Sequence, residues 1–280
     1  MILLRRNKMP EIAEVRVVRD TLKKKILKKK IKKVRVLYDN LIIGDARKFE
    51  NTLKGKTFQD IESRGKWLIF KLGEYAILSH LRMEGKFFYV NSEEEMRKHS
   101  HIIFKFDDEM ELRYDDVRKF GRMELVKTDE IEENPSIKKL GFEPDDERLT
   151  LQYLLEKFKG KKIPAKQALL DQSIINGLGN IYANEVLFAT RISPFRSVDK
   201  ITKEECKKII ESSLEITTKA YEMGGSTIRS YTSSLGVIGH FQELLQVHGK
   251  EGEPCSICGQ PIKRKKLEGR SAYYCEHCQK

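Results

Sequence analysis

A chain of 280 residues, 39% hydrophobic and 34% charged, has enough material for two cored domains and no apolar run long enough to span a membrane. Lys and Arg outnumber Asp and Glu by 54 to 42, and the net charge of +12 points to a polyanionic partner, nucleic acid first. An anionic membrane is the weaker alternative, because no amphipathic anchor or lipidation signal accompanies the charge.

Residues 1–8 carry an Ile-Leu-Leu triplet and three positive charges, with too short an apolar part for a secretory signal. Met9-Pro10-Glu11 then reads like a second beginning. Pro10 suits the first position of a helix, where its missing N–H costs nothing. Ile12, Val15, Val18 and Leu22 follow at helical spacing. The lysines at 23–25, 28–30 and 32–33 read as a solvated face.

Short apolar or alternating runs come next, and they predict strands over 34–38, 67–72, 76–80, 86–90, 101–106, 110–114 and 122–126. Turn signals such as Gly73-Glu74 and Asp107-Asp108 separate them, which predicts an antiparallel sandwich with a helix packed on it. Residues 141–146 read as a linker. Helical periodicity then dominates over 150–158, 165–172, 181–190 and 202–223. Gly224-Gly225-Ser226 stops the last helix, and a loop rich in Ser, Thr and Gly follows.

Four of the five cysteines fall in the last 26 residues, as Cys255-x2-Cys258 and Cys275-x2-Cys278. In a reducing compartment, paired CxxC turns mean metal, and four thiolates match the tetrahedral preference of Zn2+. The sixteen residues between the pairs are enough for a two-stranded hairpin. A site with four protein ligands is closed, so one structural zinc is expected. The remaining Cys206 reads as a small, semi-buried residue in a helix.

Three further groups stand out. In "LLDQSIINGLGNIYANE", Gly177 and Gly179 flank Leu178 before Asn180, and such glycines bring the N–H groups of a helix start close to an anion. On turn chemistry alone, a capped helix-to-helix turn is the stronger explanation of them. In "SRGKWLIF" and "HLRMEGKF", Lys66 follows a glycine turn as an exposed phosphate ligand or a strand-initiating lysine, and Met83 breaks the apolar pattern. In "KHSHIIF" and "YDDVRKFGRM", His99 and His101 alternate at strand spacing, and Arg118 and Phe120 alternate within a loop.

Together these residues resemble the formamidopyrimidine-DNA glycosylase family, which includes endonuclease VIII. MPEIAEV, SRGKWLIF, HLRMEG, YDDVRKFG, LLDQSIINGLGNIYANE, GGSTIRSY and EGRSAYYCEHCQ occur in the family's order over nearly the whole chain. The resemblance implies an α+β fold: an N-terminal β-sandwich with packed helices, a helix–two-turn–helix domain and a zinc-finger hairpin, with DNA held between the domains. The implied boundaries are 10–140, a linker over 141–149, 150–251 and 252–280, with 1–9 an extension absent from the functional protein.

The implied activity is excision of oxidised purines from double-stranded DNA, followed by β,δ-elimination at the abasic site, by a cytoplasmic monomer. Pro10 matches the family's nucleophile, Glu11 its acid and Glu14 a second carboxylate nearby. Lys66 matches the lysine linked to β-elimination, and Arg270, at the tip of the finger hairpin, the arginine linked to δ-elimination. Asn180, His99 and Lys161 match DNA contacts. Met83, Arg118 and Phe120 match the residues that fill the gap left by an extruded base, a void whose opening costs a few kcal/mol. The loop from Gly224 to about Phe241 resembles a lesion-capping loop of the 8-oxoguanine branch. Ala13 and Arg16 depart from the family's usual proline and acid without removing a catalytic group. Two alternatives remain: a preference for oxidised pyrimidines, and a non-catalytic protein that only binds damaged DNA.

Chemistry separates the last alternative from an enzyme. While Met9 is attached, the Pro10 nitrogen is a tertiary amide whose lone pair is delocalised, so it forms no iminium. Freed, it is a secondary amine with an appreciable neutral fraction, since α-amino groups titrate near 7.7–8.0. A variant forced to retain residues 1–9 is therefore expected to give no borohydride-stable adduct with abasic DNA, whereas protein beginning at Pro10 gives one. A robust adduct from the extended protein would assign the nucleophile to another residue.

Overall fold

The computed structural model describes residues 9–226 and 239–280, which fall into two compact units. Residues 1–8 and 227–238 lie outside the described residues, and with them the expected extension and most of the expected capping loop. The first unit takes in Pro10 and Glu14–Lys138. The second takes in Glu11–Ala13, Lys139–Ser226 and His240–Lys280.

From Glu14 on, the first unit runs α1 (Ile12–Ile26), whose first two residues fall in the second unit, β1 (Ile31–Val36), β2 (Ile42–Ile43), α2 (Ala46–Leu53), β3 (Asp60–Arg64) and β4 (Trp67–Leu72). It continues with β5 (Tyr75–His80), β6 (Lys86–Asn91), β7 (Ser100–Phe106), β8 (Met110–Asp115), β9 (Arg122–Lys127) and the single-turn α3 (Pro135–Lys138). Two sheets result, ordered β1-β7-β8-β6 and β2-β9-β5-β4-β3. Every pairing is antiparallel except the short β2–β9 pair. Phe87, Ile102, Phe104 and Leu112 of one sheet share a core with Ile61, Leu68, Phe70, Ile77 and Met123 of the other. Val15, Val18, Leu22 and Ile26 of α1 join it, as their spacing predicts. The expected sandwich is present.

Two elements of this unit escape the strand pattern. Helix α2 is held by the Asp45 side chain, which accepts the N–H groups of Arg47 and Lys48 at 2.7 and 3.0 Å, and it buries Phe49 and Leu53 one turn apart. Strand β3 is polar because it lies at the edge of its sheet, and it buries only Ile61.

The second unit contains α4 (Leu151–Phe158), α5 (Ala165–Leu170), α6 (Asn180–Ala189), α7 (Lys203–Glu222) and the hairpin β10 (Lys263–Leu267) and β11 (Arg270–Tyr274). Helix α6 is central, with all eight residues from Ile181 to Phe188 buried. Thr150 caps α4, and Thr202 forms a reciprocal capping box with Glu205 at the start of α7. Cys206, expected to be semi-buried, is fully enclosed, and burial pushes its thiol up to about 11. Between α5 and α6 the chain turns twice. The Asp171 carboxylate accepts the Ser173 N–H at 2.9 Å, and Gln172 accepts the Gly177 N–H and donates to Leu178 O.

Residues 141–146, which read as a linker, are fastened to this unit. The Gly141 N–H donates to Gln172 O at 2.8 Å, Phe142 forms a β-bridge with Ile175, and Pro144 is buried. A Cβ on Gly141 would lie 2.5 Å from the backbone oxygen of Ile174. Gly141→Ala is therefore expected to destabilise the protein by roughly 1–3 kcal/mol, read from its denaturation midpoint. A glycine in a free linker predicts the opposite sign, a gain of about 0.4–1 kcal/mol from a less flexible unfolded chain.

Candidate active site and DNA-contact residues

The start of α6 is built around one carboxylate. Glu11 is 2% exposed, and its two oxygens accept the N–H groups of Gly179 at 2.7 Å, Ile181 at 2.8 Å and Tyr182 at 3.2 Å. These are among the donors that a helix start leaves without internal partners, and the positive end of the helix dipole adds to the attraction. Gly179 permits the approach, because a Cβ there would stand 2.3 Å from the Glu11 carboxyl carbon. Gly177 does the same for Ile12, whose N–H donates to Gly177 O at 3.1 Å. The glycines do bring a helix start to an anion, and in the free protein that anion is Glu11. Pro10, one peptide bond earlier, is buried, as is Glu14 in the first turn of α1.

Lys166 carries a signal that sequence reading missed. It follows the first residue of α5 and is fully buried, and its Nζ donates to the backbone oxygen of Ser271. Desolvation pulls its ammonium down to about 7, with Glu11 opposing the shift and Arg270 reinforcing it. Glu11, Lys166 and Arg270 therefore belong to one electrostatic neighbourhood. Arg270 is exposed and opens β11 after the turn Glu268-Gly269, both at positive φ (47° and 75°). Asn180, the first residue of α6, is half-buried, with its Oδ1 enclosed and, among the described residues, without a hydrogen-bond partner. Lys161 stands between α4 and α5, half-buried, its backbone N–H on Phe158 O.

The four tail cysteines converge. Their sulfurs all lie within 4.8 Å of one another, with Cys255–Cys278 at 3.9 Å and Cys258–Cys275 at 3.4 Å. Four thiolates around Zn2+ at about 2.3 Å stand about 3.8 Å apart, so the cluster fits the ion. The local core is small, comprising Phe188, Val247, Ile262 and Tyr273 besides three of the cysteines themselves. Little else would fold such a tail without metal. Glu185 anchors its approach: its buried carboxylate accepts the N–H groups of Gln246, Val247 and His248 at 2.7, 3.1 and 2.7 Å.

In the first unit, Lys66 occupies the two-residue turn Gly65-Lys66 between β3 and β4, with Gly65 at φ 55°. Of its two readings, an exposed phosphate ligand or a strand-initiating lysine, exposure is not met: it is 5% exposed, packed into the turn that leads into β4. His80, paired with Trp67 across β4 and β5, is held down to about 3 by burial first and by the charges of Arg82 and Lys66 second. It is a neutral imidazole whose Nδ1 accepts the Arg82 N–H at 3.0 Å. Phe120 is 48% exposed, with the Arg118 guanidinium 4.6 Å from its ring centre. Met83 is half-buried in the turn before β6, and His99 is half-buried just before β7. His101 is buried, with Nε2 3.0 Å from Asp116 O.

The ends of the expected capping loop are pinned together. The His240 N–H donates to Met223 O at 2.9 Å, and the Phe241 N–H to Gly225 O at 3.1 Å.

The Lys166 environment has a pH signature. The unfolded chain keeps this proton up to about pH 10.5 and the folded one only to about pH 7. Burying the charge therefore disfavours the fold fully below about pH 7, and the penalty fades as pH rises toward 10.5. Lys166→Met is expected to gain most stability over the parent near pH 6.5 and progressively less toward pH 10. Urea midpoints of both proteins across that range read the difference, and a pH-independent difference would count against the depressed ammonium.

Comparison with known proteins agrees with this geometry. The family descriptions "Formamidopyrimidine-DNA glycosylase N-terminal domain", "Formamidopyrimidine-DNA glycosylase H2TH domain" and "Zinc finger found in FPG and IleRS" match residues 9–123, 140–232 and 252–280. The formamidopyrimidine-DNA glycosylase of Listeria innocua is 45% identical over 97% of this chain and 100% of its own length. That of Bacillus cereus is 45% identical over 97% and 99%. The Lactococcus lactis Fpg in complex with an abasic site containing DNA superposes with a TM-score of 0.92 at 39% identity, covering 96% of this chain and 99% of its own. MutM in complex with carbocyclic 8-oxo-G containing DNA gives a TM-score of 0.91 at 38% identity, with the same coverage. With its sandwich, helical unit and four-cysteine finger matched along nearly its whole length, the chain belongs to the formamidopyrimidine-DNA glycosylase family, enzymes with DNA glycosylase and AP lyase activity and one structural zinc.

Proposed function

We propose that this glycosylase removes oxidised purines, 8-oxoguanine and formamidopyrimidines, from double-stranded DNA, and cuts the strand by β,δ-elimination through a Schiff base at Pro10, as a cytoplasmic monomer. The observation that carries the reading is the Glu11 cradle, a buried carboxylate on three N–H groups and one peptide bond from Pro10. The Lactococcus lactis relatives were solved on Fapy-dG and abasic-site DNA, which supports the substrate class.

The chemistry follows from the groups present. The Pro10 nitrogen attacks C1′ as a free secondary amine, and the glycosidic bond breaks with its electrons leaving on the base. Glu11, an acceptor-only anion in its cradle, takes the proton that the nitrogen sheds and passes it to O4′ as the C1′–O4′ bond opens. The resulting iminium acidifies C2′–H; loss of that proton expels the 3′ phosphate, and loss of the C4′ proton then expels the 5′ phosphate. Water hydrolyses the iminium and restores the amine.

Lys66 and Arg270 are the cations for the two departing phosphates, and Glu14 is the second carboxylate of the nucleophile's surroundings. Asn180, His99 and Lys161 bind the DNA backbone. Met83, Arg118 and Phe120 fill the void left by the extruded nucleotide. Zinc supplies no chemistry here; when bound, it closes the four-cysteine knuckle that carries Arg270. Residues 10–140 form the catalytic sandwich domain, 150–251 the helical domain and 252–280 the finger. The reading requires Pro10 to be the first residue, and the family match that starts at residue 9 supports it.

Borohydride trapping on duplexes that each hold one defined lesion tests the proposal. Adducts are expected with 8-oxoguanine, formamidopyrimidine and abasic duplexes, and at least about tenfold less with oxidised pyrimidines, the size of one lost specific contact. The reverse preference would support the pyrimidine reading. Binding with no adduct on any duplex would support the non-catalytic one.

A further inference from the structure

Tyr114, in the middle of the first sheet, is doing something its burial alone does not explain. It is fully enclosed, packed on Phe87 with ring centres 5.1 Å apart, yet among the described residues its hydroxyl has no hydrogen-bond partner. A buried orphan hydroxyl costs about 1–3 kcal/mol, and a phenylalanine would avoid that cost. The oxygen instead fills the space between two glycines. A Cβ on Gly85 would stand 2.0 Å from it, and a Cβ on Gly121 1.8 Å. Gly85 closes the turn that holds Met83, its N–H on Leu81 O at 3.0 Å. Gly121 closes the loop that holds Arg118 and Phe120. That loop is shaped from its other side by buried Asp116, whose carboxylate accepts the N–H groups of Arg118 at 3.0 Å and Gly121 at 2.7 Å.

We propose that Tyr114 is a positioning residue that locks the Met83 turn and the Arg118–Phe120 loop into one register, so that the three side chains meet the DNA as a single unit. The inference rests on the void-filling reading above. The phenol oxygen touches no substrate; it is the common stop against which both loops close. Either loop displaced by the width of a methyl group moves its side chains by a comparable distance, and misplacement on that scale costs about a hundredfold where geometry controls rate.

The test uses Gly121→Ala, Tyr114→Phe and the double variant Tyr114→Phe/Gly121→Ala in the full chain. Strand cleavage is measured on a duplex and on a single-stranded abasic substrate, with hydrogen exchange of the amides at 82–85 as a structural readout. Gly121→Ala is expected to lower the duplex-to-single-strand rate ratio about tenfold or more, with single-strand cleavage retained. It should also speed exchange at 82–85, in the loop it does not belong to. The double variant should regain part of the ratio, because the nearest atom that the new methyl strikes, the phenol oxygen at 1.8 Å, has gone while Cζ stays at 2.9 Å. Tyr114→Phe alone, which removes a single oxygen, should lower the ratio by a smaller factor and covers the case in which Gly121→Ala fails to fold. Equal losses on both substrates, unchanged exchange at 82–85, or no recovery in the double variant would each overturn the clamp. Phe120→Ala serves as the control for the underlying reading. If it depresses both substrates equally, void filling is wrong, and the exchange result still decides whether the clamp exists.

Discussion

The second unit depends on a carboxylate taken from far away in the chain. Glu11 supplies the cap that α6 lacks, and α6 is the helix around which that unit packs. Residue 11 and residues 179–182 have no local reason to meet. Their pairing commits the fold to a backbone without a side chain at 179 and to an acidic residue directly after Pro10. The contact satisfies helix donors, and in the proposed mechanism it also holds a proton acceptor still, one peptide bond from the nucleophile.

A second tie runs through the helix that precedes α6. Lys166 reaches from α5 to the backbone of β11, so the strand that begins with Arg270 is held by an ammonium with almost no access to water. A buried amine that titrates near neutrality is often a functional group. Here, among the described residues, its acceptor is the main-chain carbonyl of Ser271, which makes it a fastener for the hairpin. Further ties fasten the finger within its unit: Glu185 holds the segment that leads into it, Asn184 Oδ1 accepts the Tyr273 N–H at 3.3 Å, and Gln279 donates to Ile192 O at 2.9 Å.

The strong periodic elements were legible in the sequence for plain reasons. The strands of the sandwich are apolar enough to state their own period, and α4 and α7 open on threonine caps. The cysteine spacing stated the metal site outright. Helix α2 was missed although Asp45, Phe49 and Leu53 gave both a cap and a stripe, because eight residues leave the period weakly defined. Polar β3 follows its hairpin partner rather than a pattern of its own. The Glu11 cradle was half legible, since turn glycines announce a close approach without saying by what. Burial was not legible at all for Lys66 and Lys166. A lysine in a charged stretch looks solvated until the packing around it is known.

Arg118 and Phe120 stand out from the surface as a stacked pair on a loop braced by Asp116. Ordering a rotamer-rich side chain at an interface costs about 0.5–1.5 kcal/mol. The stack and the braced backbone place much of that loss in the free protein, before any DNA arrives. For an enzyme that must try very many undamaged base pairs for each lesion, the entropy lost per trial is then small. In the proposed void-filling role, a pair already assembled in this way samples and withdraws quickly, which favours speed of search over tight grip at any one site.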